Sequence, residues 1–234
     1  MKRLFDVCVS GIVLLLLSPL LLLVSAILKL TGEREAFYLQ ERIGFQGKIF
    51  FITKFVTMVK NSASIGSGDI TLRNDSRVLP IGRILRKTKL NEIPQFWDVF
   101  VGKLSLVGWR PLMKRGFDDY PASVQTKIVQ VKPGLTGIGS LVFRDEEGVI
   151  ALAQKKGLDV RNCYRDDIMA YKGELECWYI DNFSLWTDFK IVMATAISVL
   201  RPNWKGYQRW FPGLPQPTSS LICEHFGIIQ GSVR

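Results

Sequence analysis

Asn91 and Glu92 are the residues in this sequence best placed to do chemistry, because they directly precede an apolar helical segment that opens with Pro94. A carboxylate here can bind a hard cation or attack phosphorus, and a helix N-terminus favours phosphate. The same residues also have a structural explanation. Asn caps helices, Glu suits a first turn, and Pro is tolerated there because its missing N–H has no partner. The segment alone leaves both explanations open.

The composition limits the chemistry available to these residues. The chain of 234 residues has one histidine, His225, which argues against a Ser–His–Asp triad, a histidine base and a histidine-rich metal centre. The four cysteines have no CxxC spacing and indicate reduced thiols in a cytosolic setting. Catalysis would therefore use carboxylates, basic residues and a metal bound through oxygen.

A net charge of +10 predicts an anionic partner. The partner classes are nucleic acid, an acidic membrane surface and phosphorylated small molecules. The sequence contains no helix-turn-helix, RNP or zinc signature, so we expect no nucleic acid partner. Membrane lipids and phosphorylated small molecules remain.

Residues 4–28 form an apolar stretch whose only charge is Asp6. About 20 such residues can cross a bilayer core, so the stretch predicts contact with a membrane. It is too long for a signal peptide, and no A-x-A site follows it. Ser18-Pro19 interrupts its middle, and positive residues flank both ends. A kinked span and a re-entrant helix–break–helix are both compatible with these features.

The rest of the chain is predicted to alternate short helices with strands and loops. The predicted elements are a loop over 31–48, a strand-like segment over 49–58, a loop over 60–77, a basic helix over 79–90, a helix that Gly102 ends, helical segments over 117–131 and 165–200, and a loose tail over 215–234. The aromatic and basic run over 201–211 favours either a membrane interface or packing on the core.

Seven motifs occur in order along residues 2–140. They are KRLFDV, SP within the apolar stretch, QERIG, KFVTM, IGRILRKTKLNEIPQ, LSLVGWRP and KPGLTG. Together they resemble the bacterial sugar transferases of the monotopic polyprenyl-phosphate phosphoglycosyl transferase family. The resemblance covers essentially that family's whole catalytic core.

The resemblance implies transfer of a phosphosugar from a UDP-sugar to polyprenyl (undecaprenyl) phosphate, with Mg²⁺ assisting and UMP released. This would initiate the synthesis of a surface glycan such as O-antigen, capsule or exopolysaccharide. The resemblance also implies a re-entrant N-terminal segment in the bacterial inner membrane and an active site on its cytoplasmic face. A homodimer, or contact with downstream glycosyltransferases, is compatible with it.

The resemblance also assigns roles to individual residues. Asn91 and Glu92 occupy the positions of the family's catalytic Asp-Glu dyad, and Glu92 is the implied metal ligand. Three basic residues at motif positions are suited to binding substrate phosphates, namely Arg86, Arg110 and Lys54. The motif residues with a structural role are Ser18, Pro19, Pro94, Gln95 and Pro111.

Several positions depart from the family's pattern. Asn91 replaces the nucleophilic Asp, and an amide is a poor nucleophile and a weak magnesium ligand. Val56 replaces a motif Arg, Lys103 an acidic residue and Trp109 a proline. After KPGLTG, the unusual run GIGSLVFRDEE ends in three acidic residues, 145–147, which either add an acidic group to the site or form a solvated loop.

Two functions follow. The first is an active transferase in which Glu92 is the nucleophile, or the base and metal ligand for direct attack by polyprenyl phosphate. The alternative is a catalytically impaired, membrane-bound paralogue that binds a nucleotide sugar or a partner glycosyltransferase. We predict the active transferase. Its predicted fold is α/β and mostly helical, with a re-entrant membrane helix over 1–30, a cytoplasmic catalytic domain with interfacial amphipathic helices over 31–214, and a tail over 215–234.

Overall fold

The computed structural model describes residues 1–62, 75–201, 204 and 206–228. The chain forms two compact units. The first contains residues 1–44 and 48–106, and the second contains residues 45–47 and 107–234. Most of the loop predicted over 60–77 and the last six residues of the predicted tail lie outside the described residues.

The first unit begins with helix α1, Lys2–Leu30. A hairpin follows, in which β1, Phe37–Ile43, pairs antiparallel with β2, Ile49–Phe55, so that Phe37 lies opposite Phe55. The prediction of β2 is confirmed. The prediction of a loop over 31–48 is wrong for the residues of β1. Most residues of β1 are exposed, and they show no alternation of buried and exposed positions. The strand owes its conformation to pairing with β2.

Helix α1 is continuous through Pro19, so the predicted division into two helices at Ser18-Pro19 is wrong. Pro19 lacks the N–H that would bond to the carbonyl of Leu15. The hydroxyl of Ser18 donates a hydrogen bond to that same carbonyl oxygen at 2.8 Å. The serine therefore satisfies the acceptor that the proline frees, and the helix continues.

The N-terminal end of α1 is fastened to the first unit by polar contacts. The guanidinium of Arg3 donates to the carbonyl oxygens of Val99 and Phe100, both at 2.6 Å. Asp6 is buried, and its carboxylate accepts hydrogen bonds from Ser105 Oγ at 2.9 Å and from the Leu106 N–H at 3.1 Å. A carboxylate buried in an apolar helix is thus fully partnered.

The C-terminal end of α1 is fastened to the same unit by apolar contacts. Val24 and Leu28 pack in one buried cluster with Ala36, Phe55 and Leu85. Between the two attachments, the middle of the helix is exposed, and its exposed leucines are Leu15, Leu16, Leu22 and Leu23. Within the described residues, α1 is the one helix long and apolar enough to cross a membrane, with a mean hydropathy of 2.8.

Two further α-helices of the first unit lie among its described residues. Helix α2, Pro80–Lys87, confirms the predicted basic helix, and helix α3, Gln95–Val101, ends at Gly102, which adopts φ 92°. Gly82 of α2 lies directly against the backbone of Thr57, where an added Cβ would be 2.2 Å from the carbonyl oxygen. Only glycine permits this approach of α2 to the chain that follows β2. Strand β3, Ser105–Val107, ends at the boundary of the unit.

The second unit is mostly helical. Its helices are α4, Lys114–Asp118; α5, Ala122–Ile128; α6, Ile138–Val142; α7, Glu146–Lys155; α8, Val160–Cys163; α9, Ala170–Asp181; α10, Leu185–Leu200; and α11, Ser220–Phe226. A π-helical segment, Tyr164–Met169, joins α8 to α9, and strand β4 is Gly134–Thr136. Two backbone hydrogen bonds fix the position of β4: the Gly108 N–H donates to the Thr136 carbonyl, and the Gly134 N–H donates to the Trp109 carbonyl.

Three predictions for this unit need correction. The helical segment predicted over 117–131 is divided near Pro121. The segment predicted over 165–200 is divided at 182–184. There Ser184 caps α10 by accepting a hydrogen bond from the Thr187 N–H. The predicted loose tail is wrong for α11, which buries Leu221 and Ile222. In the aromatic run, Tyr207 and Phe211 pack in the core while Trp204 and Trp210 stay partly exposed.

Asp6→Ala tests the polar attachment of α1. Removing the carboxylate leaves Ser105 Oγ and the Leu106 N–H without their acceptor, and we expect a loss of about 2 to 3 kcal/mol in the free energy of unfolding. Thermal unfolding in detergent measures this loss. Asp118→Ala is the control, because Asp118 is an exposed carboxylate paired with Lys114 one helical turn away. Equal melting temperatures for the two variants would contradict the attachment.

Candidate active site

Asn91 and Glu92 lie in a single turn of 3₁₀-helix, Leu90–Glu92, that leads into α3. The turn follows Lys89, whose φ of 60° reverses the chain after α2. Pro94 is the N-cap residue of α3, and no side chain caps either element. Asn91 is therefore inside the turn and does not act as a helix cap, so the capping explanation does not account for it.

The amide oxygen of Asn91 is buried and has no hydrogen-bond partner among the described residues. A buried polar atom without a partner costs about 1 to 3 kcal/mol, and such atoms are rare in folded proteins. The cost is recovered if a ligand or an ion supplies the partner. This atom makes the turn a candidate binding position.

Glu92 faces Lys54 of strand β2, with Lys54 Nζ 3.7 Å from Glu92 Oε1. Both side chains are mostly buried, at 16% and 21% exposure. The low exposure weakens screening by solvent, so each charge acts strongly on the other and on any phosphate nearby. The structure thus brings together Lys54, Asn91 and Glu92, which lie in two motifs well separated in sequence.

Asp98 joins α3 to β2, the strand that carries Lys54. It is fully buried in α3, and its carboxylate accepts hydrogen bonds from the backbone N–H of Thr53 at 2.7 Å and from Thr53 Oγ1 at 3.1 Å. Thr53 directly precedes Lys54, so α3 and β2 are joined beside the site. Burial raises the pKa of the Asp98 carboxyl, while the Thr53 hydrogen bonds and the charge of Lys103 oppose that shift.

The sequence analysis missed Asp98. Its signal was a lone carboxylate within the apolar run FWDVF, where a solvent-facing position would not be expected. Lys103, one of the departures from the family pattern, lies 3.7 Å from this carboxylate and serves as its partner.

Arg86 lies in the last turn of α2, immediately before the turn that carries Asn91 and Glu92. That turn contacts both α2 and β2. Pro94 and Gln95 are buried at the start of α3, and Ser18 and Pro19 lie in the middle of α1. All these predicted residues belong to the first unit.

Arg110 and Pro111 belong to the second unit. The Arg110 N–H points at Oε1 of the buried Glu176, at 3.4 Å. Next to Arg110, Trp109 is fully buried and donates from Nε1 to the Val131 carbonyl at 3.0 Å. The tryptophan that replaces the family's proline is therefore a core residue of this chain.

Glu176 is a buried acid that the sequence analysis also missed. Burial raises its pKa to about 8, against the opposing effects of the Arg110 N–H and of Lys172. Its Oε2 has no hydrogen-bond partner among the described residues. An added Cβ at Gly139, the last residue of GLTGIG, would lie 2.5 Å from Glu176 Oε1. The missing side chain of Gly139 therefore leaves room for the Glu176 carboxyl.

The acidic run after KPGLTG is partly ordered by pairing within the second unit. Glu146 accepts from Lys172 Nζ at 2.7 Å, and that lysine is almost fully buried. Asp145 lies 3.5 Å from Nε2 of His225 in α11. Glu146 is thus part of a partly buried ion pair at the start of α7 and not of a solvated loop.

The turn offers candidate oxygen ligands for Mg²⁺, although no cluster of three or more His, Cys, Asp or Glu side chains occurs in the described part of the chain. In sites that handle nucleotides, Mg²⁺ is held by one or two carboxylates together with substrate phosphates. The Glu92 carboxylate and the unpartnered amide oxygen of Asn91 lie on consecutive residues, and the amide is the weaker ligand of the two. Phosphate oxygens of a substrate would complete the coordination.

Comparison with known proteins agrees with these features. Residues 1–202 match the model of the family described as bacterial sugar transferase. The chain is 32% identical over 200 residues to a UDP-glucose:undecaprenyl-phosphate glucose-1-phosphate transferase of Klebsiella pneumoniae, and 33% identical over 215 residues to an undecaprenyl-phosphate galactose phosphotransferase of Salmonella typhimurium. It is 34% identical over 200 residues to the uncharacterized sugar transferase EpsL of Bacillus subtilis.

The length of the match differs among these relatives. The matched region is 83% of this chain and 39% of the Klebsiella protein, and 86% of this chain and 40% of the Salmonella protein. The chain thus spans about two fifths of the length of these two relatives. For EpsL the figures are 86% of this chain and 87% of the relative.

Glu176→Gln tests the buried acid. The folded state keeps the Glu176 proton up to about pH 8, whereas an unfolded glutamate loses it near pH 4.5. The wild type therefore loses stability as pH rises from 5 to 8, and the glutamine variant lacks this loss. We expect the variant's melting temperature, relative to the wild type, to rise across that range and to level off above pH 8.

Thermal unfolding in detergent at pH 5, 6.5, 8 and 9 measures this trend. Glu174→Gln is the control, because Glu174 is exposed two residues away on the same helix. A difference between Glu176→Gln and wild type that stays constant with pH would contradict the raised pKa.

Proposed function

Because the chain belongs to the bacterial sugar transferase family, we propose that it transfers a phosphosugar from a UDP-sugar to undecaprenyl phosphate and releases UMP. The observation that carries the proposal is the mostly buried Lys54–Glu92 pair beside the unpartnered oxygen of Asn91. This arrangement lies at the motif where the family has its catalytic dyad. The reaction would be the initiating step of surface glycan synthesis.

The reaction exchanges one phosphorus–oxygen bond for another. A nucleophile attacks the sugar-side phosphorus of the UDP-sugar, and the bond to the bridging oxygen breaks, so that UMP leaves with the electron pair. In the direct route, the nucleophile is an oxygen of polyprenyl phosphate. In the covalent route, it is a Glu92 oxygen, and polyprenyl phosphate then displaces the phosphosugar from that carboxylate.

The basic residues stabilise the charge that develops on the phosphate oxygens. Lys54, in contact with Glu92, is placed to orient the carboxylate and to bind a phosphate oxygen. Arg86, in the last turn of α2 beside the turn that carries Glu92, is suited to a bidentate contact with a phosphate group. Bound at Glu92 and Asn91, Mg²⁺ would neutralise the diphosphate charge.

Asn91 supports a second candidate function. An amide cannot replace a carboxylate as the nucleophile, so a chain that depended on that position would bind a nucleotide sugar without turnover. In that case the protein is a membrane-bound paralogue that binds a nucleotide sugar or a partner glycosyltransferase. The intact ion pair of Glu92 favours the active enzyme.

The membrane topology we propose is re-entrant: α1 stays one helix but bends at Pro19, so that both of its ends lie on the cytoplasmic side of the inner membrane. The N-terminal end is hydrogen-bonded to the α3–β3 region, and the C-terminal end packs beside α2 and β2, so both ends are attached to one compact unit. The exposed middle, with its leucines, would enter the bilayer. A straight span would place the two attachments on opposite sides of the membrane. Positive residues at both ends support the cytoplasmic side.

Release of UMP tests the function. Purified protein in detergent is given undecaprenyl phosphate, Mg²⁺ and each of a panel of UDP-sugars, and UMP is measured. We expect release by the wild type with at least one UDP-sugar, and a loss of roughly 1000-fold or more in Glu92→Gln because the reacting carboxylate is gone. Glu174→Gln, which removes an exposed carboxylate of the second unit, should keep wild-type activity.

The same assay separates the two candidate functions. No release by the wild type, with release regained in Asn91→Asp, would favour the binding paralogue. No release by either protein with any UDP-sugar would contradict the transferase. Release that survives in Glu92→Gln would contradict the role of Glu92.

Labelling with a membrane-impermeant maleimide tests the topology. Single cysteines are placed at Lys2, Leu16 and Lys29 in a variant whose four native cysteines are serine. Re-entrant insertion predicts that Lys2→Cys and Lys29→Cys are both labelled only after spheroplasts are lysed, because both ends face the cytoplasm. Leu16→Cys, the control in the apolar middle, should stay unlabelled. Labelling of one end in intact spheroplasts would contradict the proposal.

A further inference from the structure

A cavity of about 550 Å³ lies at the C-terminal end of α10, in the second unit. Its walls combine two guanidinium groups with aromatic and aliphatic side chains. The described residues that shape it most are Leu200, Arg201, Trp204, Arg209 and Trp210. A cavity of this size is within the range of small-ligand sites in proteins. Four of its seven described lining residues lie beyond residue 202, where the match to the family model ends.

The charges of this cavity are of one sign. Arg201 and Arg209 are both exposed, and neither forms an ion pair within the described part of the chain. The cavity lining, as far as the structure describes it, contains no acidic residue. Two guanidinium groups in one concave surface, without a counter-charge, match the oxygens of a phosphate group. They also outweigh the negative end of the α10 dipole.

The other walls are apolar and fixed in position. The rings of Trp204 and Trp210 meet edge to face with centroids 5.4 Å apart. Gly206 lets the Trp204 ring lie close to the backbone, because an added Cβ would be 2.4 Å from Trp204 Nε1. Lys190 of α10 donates to the Trp210 carbonyl at 3.2 Å, which ties this segment to the helix.

The cavity shares Leu200 with an exposed apolar face of α10. The exposed residues of that face are Trp186, Phe189, Met193 and Leu200. They follow helical spacing, and Lys190 lies over the Trp186 ring at 5.6 Å. Tryptophan beside lysine and arginine along an apolar face is typical of a membrane–water interface. The chain also carries an apolar helix suited to a membrane.

We propose that this cavity binds the phosphate group of an anionic membrane lipid, with Arg201 and Arg209 on the phosphate oxygens and the lipid's apolar chain along Leu200 and the tryptophan pair. A soluble phosphate compound would not need the apolar walls, and an uncharged lipid would not need the two arginines. The site binds lipid without taking part in bond exchange, so it stands independently of the transferase activity. Anionic phospholipid and polyprenyl phosphate share the recognised chemistry.

Native mass spectrometry of the full-length protein, released from detergent micelles, tests the site. Phosphatidylglycerol, phosphatidylcholine with identical acyl chains, undecaprenyl phosphate and inorganic phosphate are titrated separately. The double variant Arg201→Gln/Arg209→Gln is compared with Arg115→Gln/Arg165→Gln, which removes the same charge at exposed positions elsewhere in the second unit. Gly206→Ala keeps both charges but displaces the Trp204 ring. Melting temperatures confirm that each variant is folded.

We expect the wild type and the charge-matched control to bind phosphatidylglycerol at least about tenfold more tightly than Arg201→Gln/Arg209→Gln, and phosphatidylcholine weakly in all proteins. Gly206→Ala should weaken the binding of phosphatidylglycerol several-fold. If Arg201→Gln/Arg209→Gln lost binding of undecaprenyl phosphate but kept binding of phosphatidylglycerol, the site would be assigned to the carrier lipid and not to phospholipid. Equal lipid binding by the two double variants would overturn the proposal, as would binding of inorganic phosphate as tight as that of the lipids.

Discussion

The hydrogen bonds of the buried Asp98 carboxylate to Thr53 are the contact on which the first unit's arrangement depends. They join α3 to β2 at the residue before Lys54, while the turn that precedes α3 carries Asn91 and Glu92. The distance between the Lys54 ammonium and the Glu92 carboxylate is therefore set by a contact outside the pair itself. A buried carboxylate that accepts two hydrogen bonds is costly to displace, so it holds this geometry firmly.

The attachments of α1 serve the same unit. A hydrogen-bonded Asp6 at one end and the Val24–Leu28 contacts at the other keep an otherwise exposed apolar helix against the elements that carry the candidate site residues. The candidate site and the apolar helix therefore belong to one compact unit. Under the proposed function, this arrangement would let a carrier lipid in the bilayer and a nucleotide sugar in solution meet at one place.

The sequence predicts several local elements of the fold, because β2, α2 and the Gly102 end of α3 follow from local patterns. The motif order predicts Glu92 and Lys54 as site residues, and the structure places their charged groups 3.7 Å apart. Strand β1 and helix α11 depend on partners distant in sequence, and no local pattern marks them. The continuity of α1 depends on one hydroxyl reaching the Leu15 carbonyl. Asp98 and Glu176 become meaningful only once burial and partners are known.

The most direct test of this account is a double-mutant cycle on kcat for UMP release, with Asp98→Asn and Lys54→Met alone and combined. If Asp98 acts by positioning Lys54 against Glu92, then Asp98→Asn lowers kcat in the wild type and has little further effect once Lys54 is methionine. Losses that simply multiply in the double variant would show that Asp98 and Lys54 act independently, and would contradict the account.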